Sequence, residues 1–237
     1  MEVIPILPTP LAIIQYPHHE KLKPHVYDEI QQQRENQYQN SESDKLTHID
    51  HYSVLDQEGQ FERFRLWVEG QAEIFVRDVL GHYLQESMMV TDSWINQCDE
   101  EGYQMAHFHA NSYVSALYYV NYTEDMSPTY FVKACGTHMH HPDSPTLNLN
   151  YAKNTRFNQI DQVMVKEGDV IIWPSQIIHG FKKNDVHGRT TLSMNLMPTI
   201  MSNGEYGWRV KKLSNSERME TVQHKEDGII WDEPNLI

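Results

Sequence analysis

Apolar residues recur at Phe61, Phe64, Val68, Ala72, Phe75, Val79 and Tyr83, in steps of three and four along the chain. That spacing predicts a long amphipathic helix over about residues 58 to 86, carried through Gly70 and Gly81. A shorter helix is expected over about 21 to 34, ending in the polar run from Gln31 to Lys45. From Trp94 the pattern changes to short runs of β-branched and aromatic residues separated by turn formers. Strands are expected over about 103–109, 113–121, 128–133, 161–166, 169–174, 177–182 and 189–197, with a tight turn at Lys166-Glu167-Gly168-Asp169. Residues 134–160 read as a long insertion, and the tail after Met201 is mostly polar, with Ile229, Ile230 and Trp231 able to dock its end. The expected fold is mainly β with N-terminal helices, the helices packing on an antiparallel jelly-roll. One domain is expected over residues 1–237: helical support over 1–90, the jelly-roll core over 91–200, and a C-terminal extension over 201–237.

Charge and composition narrow the function. The 237 residues carry a formal net charge of −14, and no Lys/Arg-rich run exists, which argues against nucleic acid or an anionic membrane as partner. No apolar stretch approaches the roughly 18 residues of a membrane span. The apolar N-terminus is broken by Pro5, Pro8 and Pro10 and lacks a basic region, so neither a signal peptide nor an anchor is expected. Cys98 and Cys135 form no framework pattern and read as reduced thiols, so a cytoplasmic protein is expected. Against two cysteines stand 14 histidines. Imidazole binds metals and moves protons near neutral pH, so their spacing matters.

On a strand over 103–109, His107 and His109 share a face, as two ligands offered to one metal do. Farther on, the run Val170-Ile171-Ile172-Trp173-Pro174-Ser175 leads to His179, and Arg189 follows ten residues later. Strand alternation puts Arg189, Thr191, Ser193 and Asn195 on one face, a guanidinium with two hydroxyls and an amide, suited to gripping a carboxylate. Tyr118 and Trp173 read as packing residues; Trp94, Tyr103, Met105 and Asn111 lie near the ligand strand and are candidates for substrate contact. His138, His140 and His141 sit in the insertion and read as a solvated loop, and His18 and His19 as surface residues.

The joint pattern of Trp94-Ile95-Asn96, His107-Phe108-His109-Ala110-Asn111-Ser112, Ser115-Ala116-Leu117-Tyr118-Tyr119-Val120, Gly168-Asp169-Val170-Ile171-Ile172-Trp173-Pro174-Ser175 and His179-Gly180 resembles the 2-oxoglutarate- and iron(II)-dependent oxygenases. The similarity is to a bacterial and phage subgroup and covers about residues 94–197, with an echo at Leu7-Pro8-Thr9-Pro10. The resemblance implies a double-stranded β-helix, cupin-like, with Fe(II) as metal and 2-oxoglutarate and O2 as co-substrates. It implies His107, His109 and His179 as iron ligands and Arg189 on the distal carboxylate of 2-oxoglutarate. Tyr119 would place its phenol on that carboxylate, Thr191 or Ser193 would add a hydroxyl, and Asn195 would lie near the metal end. At the position of His109 the wider superfamily has Asp or Glu, which leaves open whether Asp92 or Asp99 completes the site instead.

The resemblance favours a 2-oxoglutarate-dependent hydroxylase. A three-His iron oxygenase needing no co-substrate fits the H-x-H and distant His, although Arg189 and its hydroxyl neighbours count against it. A non-catalytic cupin-like binding protein is the third reading. The expected substrate is a small molecule or a peptide or protein side chain, and a homodimer would form through the N-terminal helices or the C-terminal tail.

Overall fold

A computed structural model describes residues 9–33, 35, 37–40, 43–49, 54–132 and 160–213. Most of the expected insertion, with its three histidines, lies outside the described residues, as do Cys135, the Leu7-Pro8 echo and the chain end around Trp231.

The strands are β1 (Ala12–Gln15), β2 (Gln37–Gln39), β3 (Leu46–Ile49), β4 (Met88–Cys98), β5 (Gln104–His107), β6 (Val114–Asn121), β7 (Thr129–Val132), β8 (Ile160–Gln162), β9 (Asp169–Pro174), β10 (His179–Phe181), β11 (Arg189–Pro198), β12 (Ile200–Ser202) and β13 (Gly207–Arg209). The helices are α1 (His19–Gln32) and α2 (Gln60–Ile74). Seven strands form one sheet in the order β1-β9-β6-β11-β4-β3-β2, and four form a second in the order β5-β10-β7-β8. All recorded pairings in both sheets are antiparallel. This is a double-stranded β-helix.

Side-chain alternation in the large sheet separates two cores. On β6, Ala116, Tyr118 and Val120 face the helices, while Leu117 and Tyr119 face the small sheet. Likewise Val170 and Ile172 of β9 oppose Ile171 and Trp173. On β11, Leu192, Met194 and Leu196 enter the helix-side core, which leaves Arg189, Thr191, Ser193 and Asn195 on the inner face. The helix-side core is closed by Leu22, Val26 and Ile30 of α1 and by Phe61, Phe64, Val68 and Ala72 of α2. Each such fully buried large side chain contributes roughly 1.5–3 kcal/mol. The helices therefore brace the back of the sheet whose front carries the polar row.

The long helix is shorter than its apolar period suggests. Regular α-helix ends at Ile74, one π-helical stretch follows over Phe75–Val79, and Gly81 then turns into the left-handed region at φ 69°. Val79 and Tyr83 consequently end up exposed rather than continuing the buried face. The N-terminal third is also less purely helical than expected, since it supplies β1, β2 and β3. The turn at residues 166–169 forms as expected: Asp169 N–H donates to Lys166 O, and Gly168 takes φ 85°. That turn ties α1 to the sheet, because Glu167 accepts from His19 and Lys23. His19 is buried, not superficial, and its other ring nitrogen lies 2.6 Å from Tyr118 Oη. No helix among the described residues is long and apolar enough to cross a membrane.

Candidate active site

Three imidazoles converge in the space between the two sheets. His107 ends β5 and lies opposite His179 of β10 in the antiparallel register. His109 lies beyond β5, and its backbone N–H donates to Ser175 O at 3.0 Å. The ring centroids are 4.4 Å apart for His107 and His179, 5.1 Å for His109 and His179, and 5.3 Å for His107 and His109. One ligand atom from each lies within 4.8 Å of the other two; among the described residues this is the only His, Cys, Asp or Glu cluster close enough to hold a metal. His107 and His109, expected to share a face, do point into one space; His109 lies just past the end of β5 and is held there by its bonds to Ser175 and Asn195.

Each ring is oriented from behind through Nδ1. His107 Nδ1 faces Met105 O at 2.9 Å, and His179 Nδ1 faces Ile177 O at 3.0 Å, so both nitrogens carry the proton and donate it. His109 Nδ1 donates to Asn195 Oδ1 at 2.5 Å. With Nδ1 engaged in all three, Nε2 is the nitrogen available to bind metal. Burial lowers the His179 pKa to about 3, helped by the neighbouring His107, and burial also lowers that of His109. Both rings are therefore neutral at pH 7. Neither aspartate expected as an alternative joins the cluster. Asp92 reaches it only through Asn195, and Asp99 lies at the surface beside His187 at 3.3 Å.

Along the inner face of β11 the polar row leads away from the histidines to Arg189. Its side chain is 1% exposed. Arg189 Nε donates to Ser127 O at 3.0 Å, Nη2 reaches Thr129 Oγ1 at 3.4 Å, and the guanidinium carbon stands 4.1 Å from the centroid of Phe181. Burial lowers its pKa from the ordinary guanidinium value, yet the group stays charged at neutral pH. Among the described residues no carboxylate pairs with it. A buried cation with only neutral partners is costly, and an anion arriving beside it recovers that cost.

Arg189, Thr191 and Ser193 line one narrow pocket with the three histidines, Trp94, Asn96 and Trp173. Thr191 Oγ1 and Trp173 Nε1 are buried there with no hydrogen-bond partner among the described residues. Each such group costs about 1–3 kcal/mol unless something polar meets it. Ser193 Oγ accepts from Asn96 Nδ2 at 2.8 Å, leaving its own proton to donate elsewhere. Tyr119 does not line the pocket. Its hydroxyl is 2.7 Å from Thr129 Oγ1 and its ring lies 5.7 Å from the Arg189 guanidinium carbon, so it supports the arginine from behind. Asn195 sits at the histidine end of the row, behind His109.

Residues 92–195 match a family model described as "Putative 2OG-Fe(II) oxygenase". That stretch is similar to the 2-oxoglutarate–Fe(II) oxygenase family. The family's chemistry is that of an oxidoreductase using Fe(II), 2-oxoglutarate and O2. No curated protein matches the sequence. Solved structures share the fold of this chain. The carbocyclase SnoK from nogalamycin biosynthesis, described as non-heme and alpha-ketoglutarate-dependent, is 11% identical with a TM-score of 0.59, covering 90% of this chain and 86% of its own. HygX from Streptomyces hygroscopicus, solved with nickel, 2-oxoglutarate and hygromycin B, is 15% identical with a TM-score of 0.53, covering 89% and 90%. A Pseudomonas putida prolyl-4-hydroxylase is 8% identical with a TM-score of 0.53, covering 79% and 92%.

Several groups at this site carry no signal in sequence order. Thr129, Asn96 and Ser115 are common polar residues whose place depends on strand register. Trp173, read as packing, does fill the inner core, but its indole edge also meets the pocket, and its ring centroid lies 4.8 Å from that of His179. Its shared face with Ile171 was the available signal.

Proposed function

We propose that the chain is an Fe(II)- and 2-oxoglutarate-dependent dioxygenase that hydroxylates a C–H bond of a small molecule or of a peptide or protein side chain. The observation that carries the reading is a buried Arg189 with no carboxylate partner among the described residues, lining the same pocket as three clustered imidazoles whose Nδ1 atoms are already engaged. The donor set fits iron(II), which three protein nitrogens can hold while leaving positions open. His107, His109 and His179 are the proposed ligands. When bound, iron(II) with 2-oxoglutarate supplies the activation of O2: one oxygen atom goes to succinate with loss of CO2, and the other converts R–H to R–OH.

The chain's own residues do the placing. Arg189 pairs with the distal carboxylate, Thr191 and Ser193 donate hydroxyl protons to the same end, and Tyr119 with Thr129 keeps the guanidinium from moving. Asn195 fixes the ring of His109. The pocket that joins the arginine to the histidines is narrow and partly open to solvent, which gives 2-oxoglutarate a way in. The walls of Trp94 and Trp173 then keep bulk water from the reacting centre.

Anaerobic titration of 2-oxoglutarate into nickel-loaded protein tests this assignment. Wild type should bind one equivalent, and Arg189→Ala should weaken binding at least about tenfold while metal content stays near one. Loss of metal in Arg189→Ala, or unchanged 2-oxoglutarate affinity, would contradict it. A three-His oxygenase without co-substrate would bind metal and show no 2-oxoglutarate dependence in either protein.

A further inference from the structure

His109 stands where the resemblance to the wider superfamily expects Asp or Glu, so three imidazoles replace the two-histidine, one-carboxylate set. The hydrogen bonds around His109 return a carboxylate at one remove. Asp92 of β4 faces Asn195 of β11 in the antiparallel register. Asn195 Nδ2 donates to Asp92 Oδ2 at 3.2 Å. An ionised carboxylate only accepts, so that contact sets the amide, and Asn195 Oδ1 is the atom left to accept from His109 Nδ1 at 2.5 Å. Ser115 Oγ reinforces the arrangement, 3.1 Å from His109 Nδ1 and 3.5 Å from Asn195 Oδ1. Thr91 Oγ1 donates to Asp92 Oδ2 at 3.1 Å and holds the carboxylate in place.

The other two rings lack any such link. His107 and His179 donate to the peptide carbonyls of Met105 and Ile177. Of the three histidines, His109 alone is joined through hydrogen bonds to a charged group among the described residues, and it is the one at the carboxylate position.

We propose that Asp92, acting through Asn195, supplies to His109 the negative charge that a ligating carboxylate brings elsewhere in the family. The carboxylate polarises the Asn195 amide, the amide oxygen draws on the Nδ1 proton, and the ring pushes electron density toward Nε2. Asp92 is thus a positioning residue with an electronic consequence: it strengthens metal binding and favours the oxidised metal. This inference rests on His109 being an iron ligand.

The test compares wild type, Asp92→Asn, Asn195→Leu and the double variant in anaerobic, iron-loaded protein. Three quantities are measured: metal affinity, reduction potential, and the position of the visible charge-transfer band with 2-oxoglutarate. Asp92→Asn should weaken metal binding about 10–100-fold, raise the potential, and move the band to shorter wavelength. Asn195→Leu should do the same, and adding Asp92→Asn to it should change nothing more, because the link is already cut. An unchanged potential in Asp92→Asn overturns the proposal. So do effects that add in the double variant, which would mean that Asp92 acts on the metal without Asn195. If Asp92→Asn does not fold, Asp92→Ser, which keeps an acceptor without the charge, carries the same measurement. A wild type that binds iron yet shows no 2-oxoglutarate-dependent band rejects the proposed function instead, a result distinct from failure of the Asp92 link.

Discussion

At the residue scale, the site is a row of side chains graded from charge to lone pair. Arg189 sits at one end of β11, Thr191 and Ser193 follow, and Asn195 ends the row behind His109. Thr191 makes the grading testable. Its Oγ1 is buried without a partner among the described residues, so Thr191→Val removes an unmet polar atom and keeps the shape. The unfolding midpoint of metal-free protein should stay level or rise, by up to about 1–2 kcal/mol, while 2-oxoglutarate affinity falls. A large loss of stability would mean that Thr191 has a structural bond instead. For His109→Ala the account expects loss of stoichiometric iron, read by metal analysis after gel filtration. Retention of iron and of turnover would remove His109 from the ligand set and leave His107 and His179 needing a different third partner.

At the element scale, β10 is tightly confined. It contributes only His179, Gly180 and Phe181, with a neighbour on each side. A Cβ on Gly180 would come within 2.7 Å of Gln104 O, 2.9 Å of Tyr130 Oη and 3.0 Å of Met105 O. Two of these are backbone atoms of β5 that cannot step aside, and Met105 O is also the acceptor that orients His107. Gly180→Ala should therefore cost about 1–3 kcal/mol and weaken metal binding as β5 shifts, measured by denaturant unfolding and metal titration. Strands such as β6, β9 and β11 were readable in the sequence because their two faces meet apolar cores or a polar row in strict alternation. The eleven-residue β4 was not. Its inner face carries Asp92, Trp94 and Asn96 toward the site, so its pattern is mixed and lacks the apolar alternation of a strand between two cores. The histidines and Arg189 stood out by spacing; the amides and hydroxyls that orient them become neighbours only through the β4–β11 and β6–β11 registers.

At the scale of the whole molecule, helices on the back of the large sheet and a second sheet on its front leave a polar, narrow space between the two sheets. Burial there keeps His179 and His109 neutral, and folding stability must therefore depend on pH. Both folded values lie below the unfolded imidazole value of about 6.5, so below that pH the unfolded chain binds more protons than the folded one. Stability of the metal-free protein contributed by His179 should be full above about pH 7 and decline as pH falls from about 6.5 toward 3. Denaturant midpoints at pH 7 and pH 5 for wild type and His179→Gln check this. Wild type should lose more stability on acidification than the variant, and equal losses would contradict neutral burial of His179.

The central claim is that Arg189 and the three histidines form one site, holding the two ends of the same co-substrate. Visible absorption of anaerobic, Fe(II)-loaded protein tests it most directly. A weak charge-transfer band should appear when 2-oxoglutarate is added and be absent before, since it requires the diacid to chelate the bound metal. Iron demonstrably bound, with no such band at saturating 2-oxoglutarate, would contradict the account.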